Sequence, residues 1–371
     1  MKKIVLSVNS SWNVVNFRAG LIRAFIAEGY EVVVIAPRDE YSDKIVALGC
    51  RYVELPMDQQ GTSVFADIKT IRSYLKILRQ EKPDVYLGYT VKPNVYGSLA
   101  CRFLRIPVIN NVAGLGTAFL RGGLLGFIVS HLYRLAFGKF KCVFFQNNDD
   151  QTQFVKAGLV KLAQTQLLPG SGVDLKKYQP SVYAPRTAEK TQFLFIGRIL
   201  KDKGVVELIE ATKLIQQKYP EVVVQLLGAT GVANRTAISR EEVEVWESDG
   251  LIEYLGMSDD VLPIIEGADC VVLPSYREGT PRVLLEAGAL CRPLITTDVP
   301  GCRQVVDDEV NGFLCQSHSA EDLADKMISF IEMPETKKLQ MSQASRQKVE
   351  NEYDEKIVIQ SYLQAIAECI S

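Results

Sequence analysis

The run Cys270-Val271-Val272-Leu273-Pro274-Ser275-Tyr276-Arg277-Glu278-Gly279-Thr280-Pro281-Arg282-Val283-Leu284-Leu285-Glu286-Ala287 holds one complete strand-to-helix turn. Four consecutive apolar residues ended by Pro274 predict a strand buried on both faces. Ser, Gly and Thr after it predict a short polar loop. Thr280 is a good N-cap and Pro281 a good first helical residue, so a helix is expected to start there. The free amides of its first turn would point past the carboxyl end of the strand, where open parallel sheets bind their ligands.

The same rhythm extends in both directions. In the second half, Gln192–Ile196, Val222–Leu227, Ile252–Leu255 and Leu294–Thr296 predict further strands, and Val205–Lys218 a helix. In the first half, Lys3–Val8, Glu31–Ile35, Pro83–Leu87, Val108–Asn110 and Cys142–Gln146 predict strands, with helices over Phe17–Glu28 and Asp67–Gln80. Buried strands alternating with helices imply parallel sheets covered on both faces. The 371 residues are enough for two such doubly wound α/β domains. A stretch rich in Pro, Gly, Ser and Lys around 169–191 reads as the linker, which places an N-terminal domain at 1–172 and a C-terminal one at 173–353. Asp354–Ile370, with Ile357, Ile359, Tyr362, Leu363 and Ile366, predicts a last helix, a separate element over 354–371.

Charge is unevenly divided. Residues 1–172 carry 21 Lys and Arg against 12 Asp and Glu, a net of +9, and the rest carries 21 against 32, a net of −11. Residues 69–141 hold 12 basic and two acidic side chains. That excess is expected to face an anionic partner or simply to be a solvated face. Within it, Leu120 to Lys141 sets Leu124, Leu125, Phe127, Ile128, Leu132, Leu135 and Phe137 among Arg121, Arg134, Lys139 and Lys141. Such a basic amphipathic helix suits either a membrane interface or the cover of a sheet. No apolar run reaches the length of a membrane span, and the start, Met1 to Val8, reads as a strand and not a signal peptide. Eight scattered cysteines without a C-x-x-C read as buried reduced thiols, and two histidines, His131 and His318, leave little for a zinc site.

Loops after the strands supply the candidate chemistry. Gly197-Arg198-Ile199-Leu200-Lys201-Asp202-Lys203-Gly204 follows the strand ending at Ile196 and precedes a helix. Arg198 and Lys203 there suit a diphosphate, or are a solvated basic loop. Glu278 lies in the loop quoted first. Glu286 lies on the helix among apolar residues, where its carboxylate either accepts sugar hydroxyls or pairs with a neighbouring arginine.

These residues resemble a known family. Glu278 and Glu286, separated by seven residues, look like the E-x7-E signature of the retaining glycosyltransferases called family four. Gly197-Arg198 with Lys203-Gly204 matches a second motif of that family. Pro169-Gly170-Ser171-Gly172-Val173-Asp174 resembles its interdomain N-G-V-D segment, and Asn311-Gly312-Phe313-Leu314 its N-G-x-L turn. The resemblance implies a GT-B fold, two Rossmann-like doubly wound domains facing a deep cleft, with the last helix crossing back to the first domain. It implies a UDP-sugar as donor substrate, no metal and no other cofactor. By the same resemblance Arg198 and Lys203 would stabilise the leaving diphosphate, Glu278 would meet the donor sugar, Glu286 the ribose hydroxyls, and Gly197, Gly279, Thr280 and Pro281 the rest of the donor. Gly256 and Met257, ahead of a helix opened by Ser258-Asp259, would lie by the base.

In the first half, the loop Asn9 to Arg18 lacks the glycine pair that many relatives have there, and offers Ser10, Ser11 and Asn16 instead. The patterns T-x-K-P-N (Thr90 to Asn94), N-x-x-G-L-G (Asn111 to Gly116) and F-x-Q-N (Phe144 to Asn147) resemble a bacterial subgroup that builds lipid-linked glycans for O-antigen, capsule or protein glycosylation. N-acetylgalactosaminyltransferases acting on undecaprenyl-diphosphate-linked bacillosamine are of this kind. The resemblance implies transfer of a hexose or N-acetylhexosamine, GalNAc above all, to a polyprenyl-diphosphate-linked glycan. Lys92, Asn94 and Asn111 join Ser10, Ser11 and Asn16 as candidate acceptor contacts. The place implied is the cytoplasmic face of the bacterial plasma membrane, held peripherally through residues 69–141. A soluble or non-polyprenyl acceptor, and a non-catalytic nucleotide-sugar-binding protein, are the alternatives. A dinucleotide-dependent oxidoreductase would need G-x-G-x-x-G after the first strand, and residues 9–18 contain no glycine. No aromatic-interleaved basic motif speaks for nucleic acid.

Overall fold

A computed structural model describes residues 1–57, 64–114, 123–138, 140, 142–180 and 190–370, with the side chains of 64 and 123–128 left aside. The chain divides into two compact units, Met1–Ser171 with Glu355–Ser371, and Gly172–Asp354.

The first unit is built on a seven-stranded sheet of β1 (Lys3–Ser7), β2 (Glu31–Ala36), β3 (Arg51–Glu54), β4 (Val85–Tyr89), β5 (Val108–Val112), β6 (Cys142–Phe145) and β7 (Thr165–Leu167), in the spatial order 3-2-1-4-5-6-7. Neighbours pair in parallel, Val5 lying opposite Val33 on one side and Tyr86 on the other. Alternation along each strand sends side chains to opposite faces. Val5, Val33, Ile35, Tyr86 and Val143 join one core layer, under the helices Val64–Glu81, Ser98–Leu104 and Gly123–Phe137. Ile4, Leu6, Val32, Val34 and Leu87 join the other, under Ala19–Ala27 and the last helix, Glu355–Ile370. Each such side chain, fully buried, contributes about 1.5–3 kcal/mol. The Tyr86 hydroxyl, which enters this core, donates to the Pro93 carbonyl at 3.0 Å.

The second unit has a six-stranded parallel sheet of β8 (Gln192–Ile196), β9 (Val223–Leu227), β10 (Glu253–Tyr254), β11 (Cys270–Leu273), β12 (Leu294–Thr297) and β13 (Gly312–Cys315), ordered 10-9-8-11-12-13. One continuous core spans both faces of it. In each sheet the strand order reverses at one place, between β1 and β4 in the first unit and between β8 and β11 in the second. Loops leaving the carboxyl ends there are splayed to opposite sides and open a crevice.

Several expectations are corrected. The residues read as a loop and one helix over 9–28 form two helices, Ser11–Phe17 and Ala19–Ala27, broken at Arg18. The helix of the E-x7-E segment starts at Arg282, with Pro281 in extended backbone as its N-cap, one residue later than Thr280 suggests. The segment after Met257 opens no helix at Ser258; the next helix is Leu262–Glu266. β3, β7 and β13 were not anticipated, and Gly312 to Leu314, read as a turn, lies in β13. Of the basic stretch 120–141, residues 120–122, 139 and 141 and the side chains of Leu124, Leu125, Phe127 and Ile128 lie outside the described residues, as does 181–189 of the linker. Tyr133 and Phe137 of the helix Gly123–Phe137 are buried in the core and Leu135 is exposed. Among the described residues no helix is long and apolar enough to cross a membrane.

All eight cysteines are free thiols, six of them buried. Burial pushes Cys50 from its ordinary value of 9.0 up to about 11, and Cys142, Cys302 and Cys315 up to about 12. Below pH 9 these thiols are protonated in folded and unfolded chains alike. Above it the unfolded chain releases their protons and the folded chain keeps them, so stability falls as pH rises, by about 1.4 kcal/mol per pH unit for each thiol. Urea midpoints measured from pH 7 to pH 11 are expected to drop beyond pH 9, and less steeply in Cys302→Ala. Equal slopes for both proteins would refute the assignment to Cys302.

Candidate active site

The loops after β8 and β11 meet at the reversal point of the second sheet, and three glycines set how closely. Gly204 has φ +72° and a Cβ there would overlap the Pro274 carbonyl oxygen. Gly228, with φ +151°, leaves room for the Gly197 carbonyl, and Gly301, with φ +86°, for the carbonyls of Glu278 and Gly279. Only glycine combines that backbone with that proximity. Hydrogen bonds then tie the loops: Tyr276 N donates to the Asp202 carbonyl at 3.0 Å, Ser275 Oγ donates to the same carbonyl at 3.3 Å, and Glu278 N donates to the Pro300 carbonyl at 3.1 Å.

On this frame Lys203 Nζ is ion-paired with Glu278 Oε1, both side chains largely buried. The pair joins the two loops across the reversal point. Arg198, in the same loop as Lys203, is exposed, and its side chain has no ion-pair or hydrogen-bond partner among the described residues. The site thus holds one cation already neutralised and one available to an anion. Glu286, whose side chain is 13% exposed, accepts on Oε1 from Arg282 Nε at 3.0 Å and from the Tyr178 hydroxyl at 2.9 Å. Burial, and then the Glu286 carboxylate, push the Tyr178 phenol well above its ordinary range, so it stays a proton donor. The alternatives for Glu286 are therefore not exclusive: it has its arginine, and it is also oriented. Arg282 was legible as the residue four positions earlier on the helix. Tyr178, 108 positions away, was not, and no local signal marks it.

Gly197 opens the β8 loop and Gly279, Thr280 and Pro281 close the β11 loop. Gly256, with φ +70° and nothing within 4 Å of a Cβ, and the exposed Met257 follow β10; the Gly256 carbonyl accepts from Gly228 N at 2.7 Å, which ties this turn to the one after β9. Among the described residues no group of three or more His, Cys, Asp or Glu is placed to hold a metal ion.

In the first unit the candidates are spread differently. Ser10 caps the helix Ser11–Phe17, its side chain accepting from Asn13 N. Ser11 is buried, donates to the Pro37 carbonyl at 3.1 Å and meets Ser42 Oγ at 3.0 Å. Asn16 Nδ2 donates to the Trp12 carbonyl. Lys92 is ion-paired with Asp67 at 3.0 Å. Asn94 and Asn111 are buried and adjoining, Asn94 Nδ2 donating to the Asn111 carbonyl at 2.7 Å, and Asn111 Nδ2 donating to the Tyr362 hydroxyl at 3.0 Å.

Two family models match, "Glycosyl transferase 4-like" over residues 3–147 and "Glycosyl transferases group 1" over residues 184–348. The chain is similar to the Campylobacter jejuni N,N'-diacetylbacillosaminyl-diphospho-undecaprenol alpha-1,3-N-acetylgalactosaminyltransferase, 29% identical over 366 residues covering 95% of this chain and 94% of that one. It is similar to the Escherichia coli UDP-Gal:alpha-D-GlcNAc-diphosphoundecaprenol alpha-1,3-galactosyltransferase, 25% identical over 79% of this chain and 76% of that one. Among solved structures, a Rickettsia africae glycosyltransferase superposes with a TM-score of 0.79 at 16% identity, covering 100% of this chain and 99% of that one. The Anabaena protein HepE, solved with UDP-glucose, superposes with a TM-score of 0.81 at 19% identity, covering 99% and 100%.

The interlocked glycines generate a stability prediction. Gly204→Ala combines a left-handed alanine, about 1–2 kcal/mol, with overpacking, about 1–3 kcal/mol. Gly231→Ala, with φ +58° and open space around it, incurs the first cost alone. Urea denaturation is expected to rank Gly204→Ala clearly below Gly231→Ala. The reverse order would mean that the two loops do not approach as described.

Proposed function

This chain belongs to the family-four-like glycosyltransferases of the GT-B fold, and from that premise we propose that it transfers a hexose or N-acetylhexosamine, GalNAc above all, from a UDP-sugar to an undecaprenyl-diphosphate-linked sugar at the cytoplasmic membrane face, with retention of configuration and without a metal ion. The carrying observation is the Lys203–Glu278 pair across the β8–β11 reversal point, with Arg198 available in the same loop. The relatives acting on undecaprenyl-linked sugars support the acceptor class.

Breaking the bond from sugar to diphosphate puts negative charge on the leaving phosphate. Arg198, with no anion of its own, meets that charge, and Lys203 adds to it while Glu278 fixes its position. In a front-face route the leaving phosphate oxygen takes the proton of the acceptor hydroxyl, so the reaction needs no separate protein base. Glu286, already held by Tyr178 and Arg282, accepts the ribose hydroxyls in a fixed orientation.

The helix Val64–Glu81 supports the membrane part of the reading. Among its exposed residues Phe65, Ile68, Lys69, Arg72, Lys76 and Arg79 lie at helical spacing, with Gln80 just beside them, and Phe65 is 88% exposed. Their positions fall within one ~100° arc at 3.6 residues per turn. Aromatic and aliphatic side chains beside four cations suit an anionic bilayer surface, where each cation is worth about 1 kcal/mol.

Two tests follow. Glu286→Ala is expected to abolish the thermal shift that UDP gives the wild type, and Arg198→Ala to lower kcat by about 10²–10³ with the fold intact. Full activity in Arg198→Ala would remove the carrying observation. Flotation with anionic liposomes is expected to carry the wild type, and to leave behind a variant with Lys69, Arg72, Lys76 and Arg79 all changed to Glu; equal binding to neutral liposomes would sink the membrane reading.

A further inference from the structure

The first unit contains a buried cation that the reading above does not use. Arg18 breaks the two helices that follow β1 and is only 6% exposed. Its guanidinium lies over the Tyr89 ring at 4.5 Å, Nη1 donates to the Phe17 carbonyl at 2.9 Å, and Nε is buried with no hydrogen-bond partner. No carboxylate among the described residues pairs with it. A guanidinium carries five donors, and removing it from water without an anion costs several kcal/mol.

Arg18 lines a hollow with Asn111, Tyr362 and Glu355, walled on the apolar side by Leu21 and Val358. The hollow lies by the carboxyl ends of β4 and β5, next to the reversal point of this sheet, since Tyr89 ends β4 and Asn111 is the penultimate residue of β5. The Glu355 carboxylate lies against Gly20, in the first turn of the helix Ala19–Ala27. That place, at a helix N-terminus, favours negative charge. Lys92, the basic residue first expected at the acceptor, is neutralised by Asp67.

We propose that this hollow is an oxyanion site, in which Arg18 receives a phosphoryl group through its unused donors. A planar guanidinium matches two phosphoryl oxygens. On the function proposed above, that group is the diphosphate of the lipid-linked acceptor. The oxyanion site itself stands independently of that function.

The test uses the full chain with labelled Leu and Val methyl groups, titrated with inorganic pyrophosphate and with geranyl diphosphate. Saturable shifts of the Leu21 and Val358 methyls are expected, at least about tenfold weaker binding in Arg18→Gln, and tighter binding in Glu355→Gln, which removes a neighbouring negative charge. Should Arg18→Gln fail to fold, Arg18→Lys, which keeps the charge and loses the fork, is expected to bind more weakly than wild type. Tighter binding of geranyl diphosphate than of pyrophosphate supports the acceptor assignment. Equal binding supports the oxyanion site and assigns it to a free phosphate. No shift of either methyl overturns the proposal. Sugar transfer from a UDP-sugar is measured separately, so its absence would refute the enzymatic reading while leaving the methyl shifts to decide this one.

Discussion

Parallel strands covered on both faces leave no place along their length for charge, and this constraint orders both units. Val5, Val33, Leu194 and Val271 are fully buried members of the apolar cores. Polar function is pushed to the strand ends, and only where the strand order reverses do two adjacent loops turn away from each other and leave room. The cations of interest follow that rule. Arg198 and Lys203 come directly after β8, and Arg18 comes in the first helical connection after β1. The two reversal points are equivalent in topology and differ in chemistry, because the loops that leave them differ.

The second unit makes its loops rigid before it makes them charged. Gly204, Gly228 and Gly301 let three backbone segments approach at distances no Cβ would allow. The Lys203–Glu278 pair is then fixed at both ends by backbone. For two largely buried charges this matters more than the attraction between them, since desolvation opposes most of the Coulombic gain. The pair is better understood as a device for position: it holds an ammonium at a set place without spending side-chain entropy when an anion arrives.

Much of this was legible in the sequence, and the failures share a cause. β8 and β11 are read to the residue because continuous apolar strands bounded by polar loops are the strongest signal a parallel sheet gives. β3, β7 and β13 are edge strands, half exposed or short, so their sequences carry no such run: in β7, Gln166 and Leu167 both face solvent. The break at Arg18 was hidden because Phe17, Leu21, Ile22 and Phe25 keep helical spacing across it. The types of the site residues were legible from their loops. Their partners were not, since Tyr178 reaches Glu286 and Asp67 reaches Lys92 through the fold alone. A lysine in a polar loop looks free from sequence, and whether it is free depends on a helix 25 positions away.

Three cations therefore stand in three states, and the difference assigns them different work. Arg198 is exposed and unpaired, so water solvates it until an anion comes, and the gain from that anion is modest. Lys203 is buried and paired, so it contributes position and a net charge near zero with Glu278. Arg18 is buried and unpaired, the state with the highest free energy of the three, relieved in part by the Tyr89 face and the Phe17 carbonyl. A protein that keeps a guanidinium in that state has a stability gain in reserve for any ligand that brings an oxyanion to it, because binding repays desolvation already incurred on folding. Lys92 differs from Arg18 in that the Asp67 carboxylate is already in place beside it.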